Sequence, residues 1–393
     1  MVAVDRTPGA HPATHPATGD RPKPELMSVD FNERPFTVAW EITRACALAC
    51  VHCRAEAQPR AHPWELTTAE AFRLIDDIAE LNPPVLVLTG GDPLMRRDLY
   101  SIVERAVDRG LRVSVSPTTT ALATRARLER LRDLGIQMVH VSVDGADAAT
   151  HDTFRGVEGT FARVMSTLDI LRDLGVGVQV GSTVARHNVH QLPAMAELMA
   201  SKGIRVWNVF YLVPTGRARL EQMITPEEAE ESWRWLVELG RTAPFTVRTT
   251  AAPQFRRTMM MAVDRRGGEM RLTGAGYQIR EAPSGVETRG VNDGKGFAFI
   301  DHLGNVCPSG FLQISAGNVR NRSLKEIYRD SPLFKSLRDP SALSGQCGRC
   351  RYAELCGGSR ARAYGVTGSY LGDDPLCTLD AEARERTDQG GAR

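Results

Sequence analysis

From residue 36 onward, apolar positions follow two alternating patterns. Phe36 to Thr43 is a strand-like run. Thr67 and Glu70 then form a capping-box pair ahead of Phe72, Leu74, Ile75, Ile78 and Leu81, which are spaced for one helix face. Pro83 and Pro84 stop that helix, and Val85-Leu86-Val87-Leu88 is a continuous apolar run of the buried-strand kind. The unit recurs: helix 98–109 leads into strand 112–116, helix 121–134 into 138–143, helix 160–174 into 176–184, and helix 191–202 into 206–213. A glycine (110, 135, 175, 203) closes each of these helices. Such alternation predicts an α/β fold with a parallel sheet and right-handed crossovers. Six strands by residue 216 are too few to close an eight-stranded barrel, so the sheet is expected to be open. Its chemistry is expected at the carboxyl ends of the strands.

Beyond that point the pattern weakens. Residues 217–295 read as a bridging region whose clearest feature is a helix opened by Thr225, Pro226 and Glu228, with Trp233, Leu236 and Leu239 as its apolar stripe. Phe297 to Ile300, a turn at 301–305 and Val306-Cys307-Pro308 form a hairpin, and Ser323 to Tyr328 starts another helix. Residues 296–385 are expected to form a small cysteine-rich module. Residues 1–34 and 386–393 read as disordered tails, with Met27 as a possible functional start.

Composition narrows the classes. A net charge of +2 with 24% charged residues lacks the basic excess of a nucleic-acid protein. No run approaches the roughly 18 apolar residues of a membrane span, and the N-terminal stretch has no apolar signal core. Eight cysteines fall in two groups, with none between Cys53 and Cys307. Grouping at C-x-x-C spacing reads as metal or cluster ligation in a reducing compartment, so a cytoplasmic protein is expected.

The first group, Cys46, Cys50 and Cys53, follows the first strand directly at C-x3-C-x2-C spacing. Three thiolates on one tight loop can hold three corners of a cubane cluster and leave the fourth iron open. An open iron suits direct binding of a substrate or cofactor better than electron transfer, where four cysteines are usual. A zinc knuckle is the plainer alternative, with His52 inside the loop as a fourth ligand.

With this spacing the chain resembles the radical S-adenosylmethionine (SAM) superfamily, whose fold is an open (β/α)6 TIM-like partial barrel. The resemblance implies a [4Fe–4S] cluster whose fourth iron chelates the amino and carboxylate groups of SAM. One electron then cleaves SAM to methionine and a 5′-deoxyadenosyl radical, which abstracts a hydrogen atom from the substrate. Gly90-Gly91-Asp92-Pro93 after the second strand resembles the family's G-G-E-P motif for the SAM amine, with Asp in place of Glu. Two glycines there let the backbone approach a ligand closely. Ser142, Asp144 and Arg155 resemble the S-x-D-G and R-G elements that meet SAM's ribose and carboxylate, although Asp144 and His151 also read as capping or loop residues. His52 stands where relatives carry an aromatic residue near adenine, and the loop Pro214 to Arg217 is placed to meet the adenine end.

Cys347, Cys350, Cys356 and Cys377 resemble the SPASM and twitch modules, whose C-x2-C-x5-C and later Cys bind one auxiliary [4Fe–4S] cluster. A second auxiliary cluster would need a ligand where Arg360 stands, so one is expected. Cys307 is left as a packed thiol, a hydrogen-atom donor or an alternative ligand. The motifs look most like the alternative-heme and heme d1 maturase branch, which implies an iron-tetrapyrrole substrate whose propionates Arg256, Arg257, Arg360 and Arg362 could pair. Maturation of a ribosomally made peptide is the second reading, and a non-catalytic iron–sulfur or zinc scaffold the third. The enzyme readings imply an electron donor such as ferredoxin or flavodoxin, and neither nucleic acid nor membrane as partner.

Overall fold

The computed structural model describes residues 26–265, 278–282 and 285–379. Parallel strands β1 (Thr37–Thr43), β2 (Val85–Gly90), β3 (Val113–Val115), β4 (Met138–Ser142), β5 (Gly177–Val184) and β6 (Val206–Tyr211) lie side by side in chain order. Helices α1 (Thr68–Leu81), α2 (Leu99–Asp108), α3 (Arg125–Asp133), α4 (Ala148–Arg155), α5 (Thr160–Asp173) and α6 (Leu192–Ser201) connect them. The Thr67–Glu70 capping box is present at α1, whose Leu74, Ile75 and Ile78 are buried. All six predicted strands are there, within about two residues of their expected ends.

The sheet runs further than the apolar pattern foretold. After α7 (Pro226–Thr242), β7 (Thr246–Thr250) adds parallel to β6. Past α8 (Gln254–Arg265) and the antiparallel pair β8 (Gln278–Ala282) and β9 (Gly285–Arg289), β10 (Phe297–Ile300) pairs parallel with β1, Trp40 opposite Ile300. The expected hairpin exists, with β11 (Asn305–Cys307) antiparallel to β10 and β12 (Gly317–Asn318) beyond it. The second half therefore extends the sheet at both edges, with β10 laid directly against β1. That arrangement covers the ladder groups β1 would otherwise leave unpaired. β7 and β12 are the two ends of the sheet, so the barrel is open.

One core, containing the fully buried Trp40, Trp207 and Trp233, runs between the sheet and its helices. Residues 26–34, expected as part of a disordered tail, are packed into the fold. Leu26, Val29 and Phe31 are buried, and Phe31 O accepts from Tyr328 Oη at 2.7 Å, because three apolar residues there meet an apolar wall. Residues 1–25 and 380–393 lie outside the described part. Helices α9 (Leu324–Asp330), α10 (Pro332–Arg338), α11 (Gly345–Arg349) and α12 (Arg360–Thr367) complete the C-terminal region. Among the described residues no helix is long and apolar enough to cross a membrane.

Candidate functional site

Between β1 and α1 the chain forms a long irregular loop carrying Cys46, Cys50 and Cys53, which group with Leu48 and Ala57. Backbone from the carboxyl ends of other strands fixes it. Gly91 N donates to Thr43 O at 2.8 Å and Asp92 N to Ala45 O at 2.7 Å, while Arg217 N reaches Cys53 O at 3.1 Å. Arg96 ties both ends of the loop, donating to Ile42 O at 2.5 Å and Leu66 O at 2.7 Å. A Cβ at Gly91 would lie 2.3 Å from Ala45 O, and one at Gly216 would lie 2.5 Å from Cys53 O. The sequence pointed to Gly90 and Gly91 as room for a ligand and to the 214–217 loop as an adenine contact. In the structure these segments make room for, and brace, the cysteine loop itself.

Each of the three sulfurs has a donor or hydroxyl nearby. Leu48 N donates to Cys46 Sγ at 3.3 Å, and the Thr118 hydroxyl lies 3.7 Å from the same sulfur. Ala57 N donates to Cys53 Sγ at 3.4 Å and Arg155 Nη1 to Cys50 Sγ at 3.8 Å. Burial pushes the Cys46 and Cys50 thiols up, with Arg155 pulling Cys50 back. A cation bound there would displace those protons to solvent and be held by the thiolates.

The sequence-predicted SAM residues surround this loop. Asp92 is fully buried; its Oδ1 accepts from Leu94 N at 3.1 Å and its Oδ2 from Thr120 Oγ1 at 2.8 Å. Pro93 opens the short helical turn that Asp92 caps. Ser142 ends β4, opposite Gly181. Asp144, also fully buried, accepts from Thr183 N at 2.7 Å and pairs with Arg155 Nη2 at 2.5 Å. Burial pushes the Asp144 carboxyl up, but Arg155, with His52 and His151, holds it below the carboxylate range. His151 Nδ1 accepts from Asp144 N at 3.0 Å, the loop-bracing role the sequence left open. His52 stacks on Phe154 with ring centroids 3.8 Å apart, so one imidazole face is taken by the protein. Burial lowers its pKa to about 3, which keeps it neutral.

Sequence reasoning missed three contributors: Thr120, Arg96 and the buried Glu41. Glu41 joins Arg54 Nη1 at 2.8 Å and His302 Nδ1 at 2.7 Å, linking the cysteine loop to the β10–β11 turn. A lone carboxylate inside an apolar strand was the available signal.

The second cysteine group lines a cavity. Cys347, Cys350, Cys356 and Cys377 all face it, with Gln254, Arg257 and Gly358. Among the described residues no three His, Cys, Asp or Glu side chains converge closely enough for a single metal ion, as a zinc site would require. Four thiols around a cavity fit a polynuclear cluster. At the first loop, the buried Arg155 Nε, Arg217 Nη2 and His52 Nδ1 have no hydrogen-bond partner among the described residues, which fits a polar cofactor beside the three thiols.

The four arginines proposed for propionates are all buried, and each bonds a carbonyl or a carboxylate of the protein. Arg362 grips Asp374 at 2.8 and 2.7 Å, and Arg256 Nε donates to Leu355 O at 2.7 Å. Arg257 pairs with Glu230, and Arg360 bonds Gly372 O at 2.6 Å and Cys347 Sγ at 3.6 Å. Cys307 packs against Ala39 and Phe299, and burial pushes its thiol up to about 12. Met259 is buried, while Met270 lies outside the described residues.

Comparison with known proteins agrees with this geometry. Residues 40–199 match the model of the Radical SAM superfamily, and residues 292–351 that of an iron-sulfur cluster-binding domain, SPASM. The chain is 39% identical over 373 residues to the AdoMet-dependent heme synthase of Nitratidesulfovibrio vulgaris, covering 94% of this chain and 97% of the relative. It is 29% identical to the mycofactocin maturase MftC of Mycobacterium tuberculosis, covering 90% of this chain and 86% of that one. Streptococcus suis SuiB bound to S-adenosylmethionine shares the fold with a TM-score of 0.64 at 13% identity, over 88% of this chain and 78% of SuiB.

Proposed function

This chain belongs to the radical SAM superfamily, and from that premise we propose that it removes carbon dioxide oxidatively from propionate side chains of an iron tetrapyrrole, in heme biosynthesis. It is a radical SAM enzyme whose cofactors are [4Fe–4S] clusters and S-adenosylmethionine. The observation that carries the substrate class is the 39% identity to a heme synthase, sustained over 94% of the chain.

Cys46, Cys50 and Cys53 would hold the SAM-binding cluster, and Cys347, Cys350, Cys356 and Cys377 a single auxiliary one. When bound, the first cluster and SAM supply an electron-triggered cleavage whose 5′-deoxyadenosyl radical takes a hydrogen atom from the substrate. The protein's residues bind and orient. Asp92, with lone pairs to spare beyond Leu94 N and Thr120, would accept from the SAM ammonium. Arg155, held by Asp144, would offer its unpartnered Nε to a carboxylate, with Ser142 and Gly90 to Pro93 lining the approach. His52, neutral and flat, would border adenine on the face away from Phe154. Reduced thiols in such numbers fit the cytoplasm, and ferredoxin or flavodoxin the electron supply.

The test is an anaerobic assay with SAM, a reductant and iron-coproporphyrin III, following 5′-deoxyadenosine and tetrapyrrole mass. Porphyrin-dependent 5′-deoxyadenosine with a product lighter by carbon dioxide is the expected outcome. A slow, porphyrin-independent background would contradict this substrate. Likeness to a mycofactocin maturase then favours the second reading, a ribosomally made peptide.

A further inference from the structure

Among the described residues, Arg155 and Arg360 each bring a guanidinium to a cysteine sulfur, and they differ in whether a carboxylate pairs with it. Arg155 approaches Cys50 Sγ at 3.8 Å, but its other Nη lies 2.5 Å from the Asp144 carboxylate, which offsets its charge. Arg360 Nη2 approaches Cys347 Sγ at 3.6 Å, and its remaining hydrogen bonds go to the carbonyls of Gly358, Tyr370 and Gly372 at 3.3, 3.1 and 2.6 Å. Carbonyls orient the cation without neutralising it. The acids nearby keep their charge, but among the described residues none forms an ion pair with Arg360, which acts on Cys347 more strongly than they do. Asp374 is gripped by Arg362, Asp293 accepts from Ala361 N at 3.0 Å, and half-buried Asp373 accepts from Cys347 N at 2.8 Å.

Arg360 is 2% exposed and is the first residue of α12, where the positive end of the helix dipole disfavours a cation. Its hydrogen bonds to the Tyr370 and Gly372 carbonyls help hold the module together, but they leave Nη2 aimed at the sulfur. Gly358 keeps the contact open: a Cβ would lie 2.4 Å from Arg360 Nη2 and 3.3 Å from Cys347 Sγ. Hydrogen bonds to sulfur and nearby positive charge both favour the reduced, more negative state of an iron–sulfur cluster.

We propose that Arg360 raises the reduction potential of the auxiliary centre above that of the first, making the four-cysteine site the electron acceptor of the reaction. This rests on the reading that those four cysteines hold a cluster. The electrons balance under the proposed chemistry. Hydrogen-atom removal leaves a radical on a propionate carbon. Breaking the bond to the carboxylate then releases carbon dioxide, forms a carbon–carbon double bond and leaves one electron, which reduces the auxiliary cluster by one.

The experiment is a redox titration followed by electron paramagnetic resonance on the full-length chain reconstituted with iron and sulfide. A Cys46→Ala/Cys50→Ala/Cys53→Ala background isolates the auxiliary signal. Arg360→Gln should lower the reduced-to-oxidised ratio at a fixed potential about tenfold, roughly 59 mV for one electron. Arg360→Lys keeps the charge but loses the fork, so its potential should fall between those of Arg360→Gln and the parent chain. Gly358→Ala should move in the same direction as Arg360→Gln by displacing the guanidinium, and serves as the test if Arg360→Gln binds no iron. In the chain with all its cysteines, the auxiliary signal should appear at higher potential than the SAM-responsive one. An unchanged potential in iron-loaded Arg360→Gln, or the opposite order of reduction, overturns the proposal. Failure of the background chain to take up iron at all would instead overturn the cluster reading beneath it.

Discussion

The two cysteine groups are held by different means. The first loop is tied to the sheet by backbone, with Arg96 bracing its two ends: Thr43, Ala45 and Cys53 accept main-chain hydrogen bonds from residues following β2 and β6. The second group is framed by side chains, above all Arg362, whose guanidinium and the Asp374 carboxylate are both fully buried. Asp374 also accepts from Ser359 N at 2.6 Å and Gln254 Nε2 at 2.6 Å, so one carboxylate gathers three segments of the module. A site braced by the sheet inherits the sheet's stability and tolerates single side-chain losses. A site framed by buried ion pairs depends on each pair, because removing one partner strands a charge away from water.

Breaking the second frame should therefore have the largest effect. Arg362→Met leaves Asp374 buried without its counter-ion and should cost about 3–5 kcal/mol. Iron should be lost from the four-cysteine site while the first site stays loaded, read by iron content and thermal unfolding. Acid should act on the barrel instead. Burial, with Arg248 adding to it, lowers the His140 pKa to about 4. The unfolded chain therefore binds a proton below about pH 6.5 that the folded chain refuses until about pH 4. His140 should contribute up to about 3 kcal/mol to the fall in stability over that window, beside the lowered His52 and His151, and His140→Gln should remove its share, measured by denaturant titration at several pH values. Gly91→Ala attacks the backbone brace directly. Its Cβ would meet Ala45 O at 2.3 Å, and a cost of about 1–3 kcal/mol with selective loss of the first cluster's signal is expected. The smallest effect is Thr120→Val, which removes one bond to Asp92 for about 1 kcal/mol. It should raise the KM for SAM several-fold with kcat little changed.

The same contrast governed what the sequence made legible. Strands β1 to β6 could be read because apolar runs and helix stops repeat at a fixed rhythm, and the first loop because its cysteines stand four and three residues apart. The run Thr-Val-Arg-Thr-Thr of β7 is β-branched yet polar, so it carried no buried-strand signal. That β10 pairs parallel with β1 is a matter of register between segments far apart, which no local pattern encodes. Arginines 256, 257, 360 and 362 were legible as cations but not as frame, since a sequence does not show whether a guanidinium faces a ligand or its own carbonyls. Glu41 was missed for the opposite reason: its partners Arg54 and His302 come from two separate loops.

The central claim, two iron–sulfur centres held independently, is tested most directly by counting iron, sulfide and zinc per chain. The parent protein would be compared with Cys46→Ala/Cys50→Ala/Cys53→Ala and with Cys347→Ala/Cys350→Ala. Two four-iron centres predict about eight iron and eight sulfide in the parent, with about half of each in either variant. Zinc in place of iron at the second group, or loss of all iron on removing either group alone, would contradict it.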